Sequence, residues 1–384
     1  MFTSNSLKIV FLLFSLSAID FILAEDSSRF QSEKDILVGV NYFAGWWKPL
    51  PNKWIDPDGQ DWREKYPGRL PILGEYNEQE TMDKEITVAS EYGVDFFLIL
   101  WYFNGIDNRA EREKHTRLLN AAVEQFMMSP NADRMTFAIE YCNHEPFQIK
   151  EQADWDWAVK FWVEAMKHPS YLRIAGKPFF KVHSWHHYWF ENDENMAQCI
   201  KRLHQLRQAA RDAGLGEILV GCGIGAYQKI PIEEERIPML FDFTSTYMDL
   251  PHDLPAQDGD ADHPYEKLAE FMRGSRTVHG EDALPYLPYF GLNFNAKPWG
   301  DQRARFEFPS REQLKKEFQL LKADLENSEL NLGVPLSDGK LRKMLTIYAW
   351  NEYGEGGFLA PTVEEKTMKL ELLKEIFDTK DNRK

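Results

Sequence analysis

Cysteine is scarce: Cys142, Cys199 and Cys222 are the only three in 384 residues. Three thiols exclude a multi-bridge disulfide framework, because at most one pair could close and one thiol would be left over. Buried, structurally ordinary cysteines are the expectation. Positive charge is also short. With 45 Lys and Arg against 61 Asp and Glu the net charge is −16, which opposes nucleic acid as a partner, since phosphate binding is driven by Lys and Arg. There is no Asn-x-Ser/Thr acceptor, so glycosylation gives no clue to the compartment. No Gly-x-Gly-x-x-Gly follows the first apolar run, and neither a Walker-type loop nor a His-Glu-x-x-His motif is present; these are the usual nucleotide and zinc signatures.

Long apolar runs are missing as well. The run over residues 9–19 is too short to span a bilayer, which argues against stable membrane insertion. Lys8 before it and Ala24 after it give it the charged, apolar and small-residue regions of a secretory leader. A leader over residues 1–24, a single domain over 25–384 and a secreted or periplasmic location are therefore expected. Asp20 interrupts the segment and leaves cleavage after Ala18 as a second option, and an uncleaved interfacial anchor is the alternative to cleavage. No cysteine stands at the junction to carry a lipid.

Aromatic residues, by contrast, are abundant: 12 Trp, 15 Tyr and 26 Phe. Sugar rings commonly stack on such side chains, although aromatics serve ordinary packing equally well. Four tryptophans, Trp46, Trp47, Trp54 and Trp62, fall in one irregular stretch between residues 43 and 76. That much tryptophan argues against disorder. A packed cap and a substrate-lining loop are both compatible with it.

Apolar periodicity predicts strands over residues 36–43, 94–101, 135–141, 178–183, 218–221, 241–247, 286–292 and 344–350. Helices are predicted over 77–92, 110–128, 154–168, 195–213, 263–273, 310–327 and 362–377, with Asn77, Ser310 and Thr362 as capping residues; residues 233–236 are too few for a full helix. Eight strand-like runs, each followed by a helix or a long connection, predict an α/β protein with a parallel sheet. A (β/α)8 TIM barrel with enlarged βα loops fits eight units better than a doubly wound open sheet, the runner-up. In such a barrel the C-terminal strand ends form the active face. Asn41, Tyr42, Trp101, Tyr102, Glu140, His183, Tyr247, Asn293, Glu352 and Glu355 all fall there.

The last predicted strand runs into Tyr348, Ala349, Trp350, Asn351, Glu352, Tyr353, Gly354, Glu355 and Gly356. A lone Glu-x-x-Glu is most often a solvated acidic turn. Here an aromatic-rich company and glycines that permit close backbone approach surround it. Two neighbouring carboxylates raise one another's pKa and can divide acid and base roles, which is what glycoside hydrolysis requires. His183, His186 and His187 form the other cluster. A zinc site needs three ligands and an open position, so the expectation is no metal, with His183 a hydrogen-bond donor in the pocket.

The stretch from Ala349 to Gly356 resembles the Trp-Asn-Glu-aromatic-x-Glu-Gly signature of the glycoside hydrolase family 99-like proteins. That group includes the WbsX-type proteins of polysaccharide loci and, more distantly, the endo-α-mannosidases and endomannanases of family 99. Val38-Gly39-Val40-Asn41-Tyr42-Phe43 with the Trp-rich loop is similar to the group's first strand. Tyr92-Gly93-Val94-Asp95-Phe96-Phe97 resembles its Tyr-Gly-Ile-x-x-Phe segment. The resemblance implies a (β/α)8 barrel, a carbohydrate substrate and no cofactor. It further implies a retaining course in which Glu352 is base to the sugar's 2-hydroxyl, through an epoxide-like intermediate, and Glu355 is the acid/base. Tyr42, Glu140 and Tyr247 would hold sugar hydroxyls, and Trp46, Trp101, His183, Asn293, Asn351 and Tyr353 complete the candidate substrate contacts. Two segments depart from the group: Glu140-Tyr141-Cys142-Asn143-His144-Glu145 replaces an Asn-Glu-x-Trp segment, and Asn293-Phe294-Asn295-Ala296-Lys297-Pro298-Trp299 replaces Trp-Asp-Asn-x-x-Arg. Mannose specificity is therefore not inherited. A secreted glycoside hydrolase is the leading expectation, with a WbsX-type glycosyltransferase and a non-catalytic carbohydrate-binding barrel as alternatives.

Overall fold

A computed structural model describes residues 34–50, 52–104, 109–185, 192–228, 240–254 and 261–378. The expected leader, residues 233–236, His186 and His187 lie outside them. Eight strands follow in chain order: β1 (Leu37–Tyr42), β2 (Phe96–Tyr102), β3 (Thr136–Cys142), β4 (Lys177–Val182), β5 (Leu219–Gly223), β6 (Phe243–Ser245), β7 (Tyr286–Leu287 and Tyr289–Gly291) and β8 (Met344–Tyr348). Each pairs in parallel with its chain neighbour up to the first piece of β7, and β1 pairs in parallel with β8. The second piece of β7 pairs with β8. The sheet path thus starts and ends on the two pieces of β7, either side of Pro288, and the barrel is nearly closed there. Burial explains the composition: β2, Phe-Phe-Leu-Ile-Leu-Trp-Tyr, is buried at all seven positions, as parallel strands covered on both faces must be.

Helices α1 (Gln79–Glu91), α2 (Arg109–Met128), α3 (Gln152–Met166), α4 (Asp193–Asp212), α5 (Tyr265–Gly280), α6 (Arg311–Glu326) and α7 (Met368–Phe377) connect or follow the strands. The expected caps fare unequally. Ser310 and Gln313 form a full capping box on α6, each satisfying an orphan donor of the other. Asn77 does not cap α1; its carbonyl accepts from Trp46 N–H at 2.8 Å and its amide donates to the Tyr42 hydroxyl at 3.0 Å. The last helix starts at Met368, not at Thr362, whose carbonyl instead closes a turn with Lys366 N–H. The seventh strand, expected as one run, is divided at Pro288, which has no N–H to give the ladder.

The loop after β1 is largely a packed cap. Trp46, Trp54 and Trp62 are buried. Ring centroids lie 4.2 Å apart for Trp46 and Trp54 and 4.9 Å for Trp54 and Trp62. Indole N–H groups of Trp54 and Trp62 donate to the carbonyls of Glu75 and Lys53, so the polar edges are satisfied inside the cap. All three cysteines are buried and unpaired. Among the described residues no helix is long and apolar enough to cross a membrane.

Candidate active site

Past β8 the chain makes a small hairpin in which Asn351–Glu352 pairs antiparallel with Gly357–Phe358. Asn351 fixes it to the end of β1, accepting from Phe43 N–H at 2.8 Å and donating to Phe43 carbonyl at 2.8 Å. Trp46 donates its indole N–H to the Asn351 carbonyl at 2.9 Å. The glycines of the motif are needed for close approach. A Cβ on Gly354 would lie 2.3 Å from the Trp299 ring, and one on Gly357 would lie 2.2 Å from the Tyr348 ring, far inside van der Waals contact.

The hairpin presents both glutamates to a cavity of about 590 Å³ at the C-terminal end of the barrel. Glu352 is buried; its Oε1 accepts from the Tyr247 hydroxyl at 3.0 Å, while its Oε2 has no hydrogen-bond partner among the described residues. Burial and the charge of Glu355 push its carboxyl up to about 8. Glu355 is also raised, chiefly by burial. It is better provided for, accepting a short hydrogen bond from the Tyr348 hydroxyl and pairing with Arg303 at 3.4 Å. Both carboxyls are thus biased toward the protonated form, and Glu352, with fewer partners, is the better place for a proton between them.

Of the expected substrate contacts, His183 and Tyr247 line the cavity with the glutamate pair. Glu140 is set behind His183 and wholly buried. Its carboxylate accepts from Asn41 at 3.0 Å and Lys181 at 3.0 Å, and lies 2.7 Å from His183 Nδ1. Burial alone would raise it, but Lys181 and His183 overcome that and hold it down to about 2. The remaining expected contacts do not reach the cavity wall. Tyr42 is buried with its hydroxyl donating to Glu85 at 2.7 Å. Trp101 packs against Tyr141 and Trp162. Trp46, Asn351 and Tyr353 belong to the cap and hairpin, with Tyr353 stacked on Trp54 at 5.8 Å. Asn293 is buried and donates to the Phe306 carbonyl at 3.3 Å. In each case a strand-end or aromatic side chain that could have faced a ligand is turned into protein packing.

Tyr102, expected on the active face, also lines the cavity, as do His144 and Trp299 of the two departing segments, whereas Lys53, Phe43, Arg303 and Asp249 were not anticipated as lining residues. Tyr348, inside β8, supplies the hydroxyl to Glu355. Arg303 lies beyond the second departing segment, where no motif marks it. Lys53 sits among the cap tryptophans and carries no signal of its own. Among the described residues no group of His, Cys, Asp and Glu is arranged to hold a metal.

A scan of the sequence against protein-family models finds no match, and a search of curated proteins finds none. Solved structures do resemble the fold. One is a glycoside hydrolase-like protein, at 17% identity and a TM-score of 0.57, covering 90% of this chain and 94% of that one. Another is the glycoside hydrolase family 99 endo-α-mannosidase from Bacteroides thetaiotaomicron, at 16% identity and a TM-score of 0.51, covering 90% of this chain and 98% of that one. Its complex with bis-tris-propane gives 16% identity and a TM-score of 0.50, with 90% and 97% coverage. The likeness is one of fold.

Proposed function

We propose that this protein is a glycoside hydrolase in which Glu352 and Glu355 cleave a glycosidic bond of an oligo- or polysaccharide. One observation carries the reading: two glutamates of one hairpin, with an unpartnered, buried oxygen on Glu352, line a single aromatic-walled cavity. A protonated carboxyl gives its proton to the leaving oxygen, and an ionised neighbour assists at the sugar. Tyr247 and Tyr348 each orient one carboxyl by a hydroxyl hydrogen bond. The barrel fold shared with glycoside hydrolases supports the reading by analogy.

The course is proposed as retaining. In the division of labour implied by the motif, Glu352 removes the 2-hydroxyl proton, the 2-oxygen closes on the anomeric carbon as the leaving oxygen is protonated by Glu355, and water then opens the ring. The charge distribution before a sugar arrives favours the proton on Glu352 instead, because Glu355 has the Tyr348 hydroxyl and Arg303. Substrates with good and poor leaving groups separate the two assignments. The acid is the residue whose Glu→Gln variant still cleaves an activated aryl glycoside but not the natural linkage.

Either Glu352→Gln or Glu355→Gln should lower turnover on natural glycans by about 10²–10⁴-fold, the usual weight of positioned acid–base groups. Product analysis over a polysaccharide panel reads this, and full activity in both variants would reject the proposal. The leader expected over residues 1–24 would deliver the enzyme to extracellular or periplasmic polysaccharide. N-terminal sequencing of the mature protein tests that, with Glu25 the expected first residue.

A further inference from the structure

Among the described residues, the cavity wall carries Lys53 and Arg303. Arg303 is committed: its guanidinium forks onto both oxygens of Asp301, at 3.1 and 2.9 Å from Nε, and reaches Glu355 at 3.4 Å. Lys53 is held differently. Its Nζ lies 4.7 Å from the centre of the Trp299 ring and 5.9 Å from that of Phe43, a cation–π arrangement that needs no counter-ion. Its own backbone carbonyl accepts two indole N–H bonds, from Trp62 at 2.8 Å and Trp299 at 3.0 Å. The Lys53 backbone is therefore pinned where the cap meets the β7 loop, and its exposed side chain lies against the two rings.

No carboxylate among the described residues pairs with Lys53. Other described lysines also lack an acidic partner, but Lys53 is the one among the described residues that lines the cavity. The ammonium still acts on both catalytic carboxyls through space, favouring their charged forms. Lys53 lines the same cavity as Glu352 and Glu355, and no ion pair joins it to either among the described residues. A sugar bound between them would bring its substituents to the ammonium.

We propose that Lys53 is a specificity-determining residue that recognises an anionic group, a carboxylate or a sulfate ester, on the sugar bound beside the glutamate pair. This rests on the glycoside hydrolase reading and narrows its substrate class to acidic glycans. A compact ammonium with three donors suits either anion as a point charge. The aromatic faces of Trp299 and Phe43 keep water from one side of it and strengthen the contact.

The test is a glycan array carrying uronic-acid polysaccharides, sulfated polysaccharides, and the carboxyl-reduced and desulfated counterparts of each. It is probed with the full chain, Lys53→Met and Lys53→Arg. The expected result is binding to a charged glycan over its neutralised counterpart, weakened roughly fivefold by Lys53→Met, the scale of a partly exposed ion pair. Lys53→Arg should keep the preference, and added salt should diminish it. The carboxylate and sulfate arms identify which anion is read. Binding confined to uncharged glycans, a preference unchanged in Lys53→Met, or no binding to any charged glycan overturns the proposal. Charge-dependent binding without hydrolysis of any glycan would reject the hydrolase reading alone, and hydrolysis of neutral glycans indifferent to Lys53→Met would reject this inference alone.

Discussion

Two carboxyl centres stand at the same end of the barrel, and their surroundings send them in opposite directions. Glu140 is wholly buried yet ionised, because Lys181, His183 and Asn41 surround its two oxygens. Glu352 is buried too, but it receives one tyrosine hydroxyl and faces another carboxyl. Burial is common to both, so burial does not decide which is reactive. What decides is whether the charge created by ionisation finds a partner. A paired buried carboxylate is architecture, whereas a poorly paired one beside a second acid holds a proton that it can give away.

Glutamine at each position separates the two roles. Glu140→Gln leaves the Lys181 ammonium buried without its counter-charge and should destabilise the fold by about 3–5 kcal/mol. Glu352→Gln removes a buried carboxyl with an unpartnered oxygen and should leave stability at pH 7 unchanged or higher. Denaturant titration of both variants reads the difference. Equal losses of stability would erase the distinction drawn between the two centres.

Acidity should divide them as well. Glu140 has a folded-state pKa of about 2, below the ordinary value of 4.5, so its contribution to stability is present above about 4.5 and is lost as pH falls toward 2. Glu352 has a folded-state pKa of about 8, above 4.5, so its contribution is complete below about 4.5 and is lost as pH rises through 8. The wild-type chain should thus lose stability relative to Glu352→Gln on going from about pH 5 to pH 8, and activity should fall above about pH 8 as the shared proton departs. Paired unfolding curves across that range check the first, and a pH–rate profile checks the second. A flat difference between the two proteins would place Glu352 with the ordinary carboxylates.

The contrast also marks what could be read from residues in order. Eight apolar runs were enough to predict the barrel, because strands buried on both faces must be continuously apolar. The Glu-x-x-Glu turn after the last strand stands out in the sequence by its glycines and aromatics, whereas the hairpin that it forms does not. Direction was not legible. Tyr42, Trp101 and Asn293 end strands as Tyr247 follows one, but whether such a side chain meets the cavity or the protein depends on partners distant in the chain, such as Glu85 for Tyr42. Nor does the order of residues show that Glu140 meets the ammonium of Lys181, 41 residues away. Lys53 and Arg303 carry no local pattern, since their place at the cavity wall comes from the loops that hold them.

The finest test of the contrast removes one hydroxyl. Tyr348 is buried, its ring covers Gly357, and its hydroxyl donates to Glu355. Tyr348→Phe keeps the ring, and so the hairpin, while taking away the donor that favours the charged form of Glu355. With Arg303 at 3.4 Å as its remaining ion pair among the described residues, Glu355 should hold a proton more readily, and the acid limb of the pH–rate profile should move upward. The rate near neutral pH should fall by roughly tenfold, the scale of one hydrogen bond to a charged group, ~1.5–3 kcal/mol. Tyr247→Phe is the matching change on the other carboxyl. Because its hydroxyl meets Glu352, the group that holds the proton, it should act mainly on the basic limb. If both substitutions moved the same limb, the two glutamates would not be divided between charge and proton in the way their surroundings indicate.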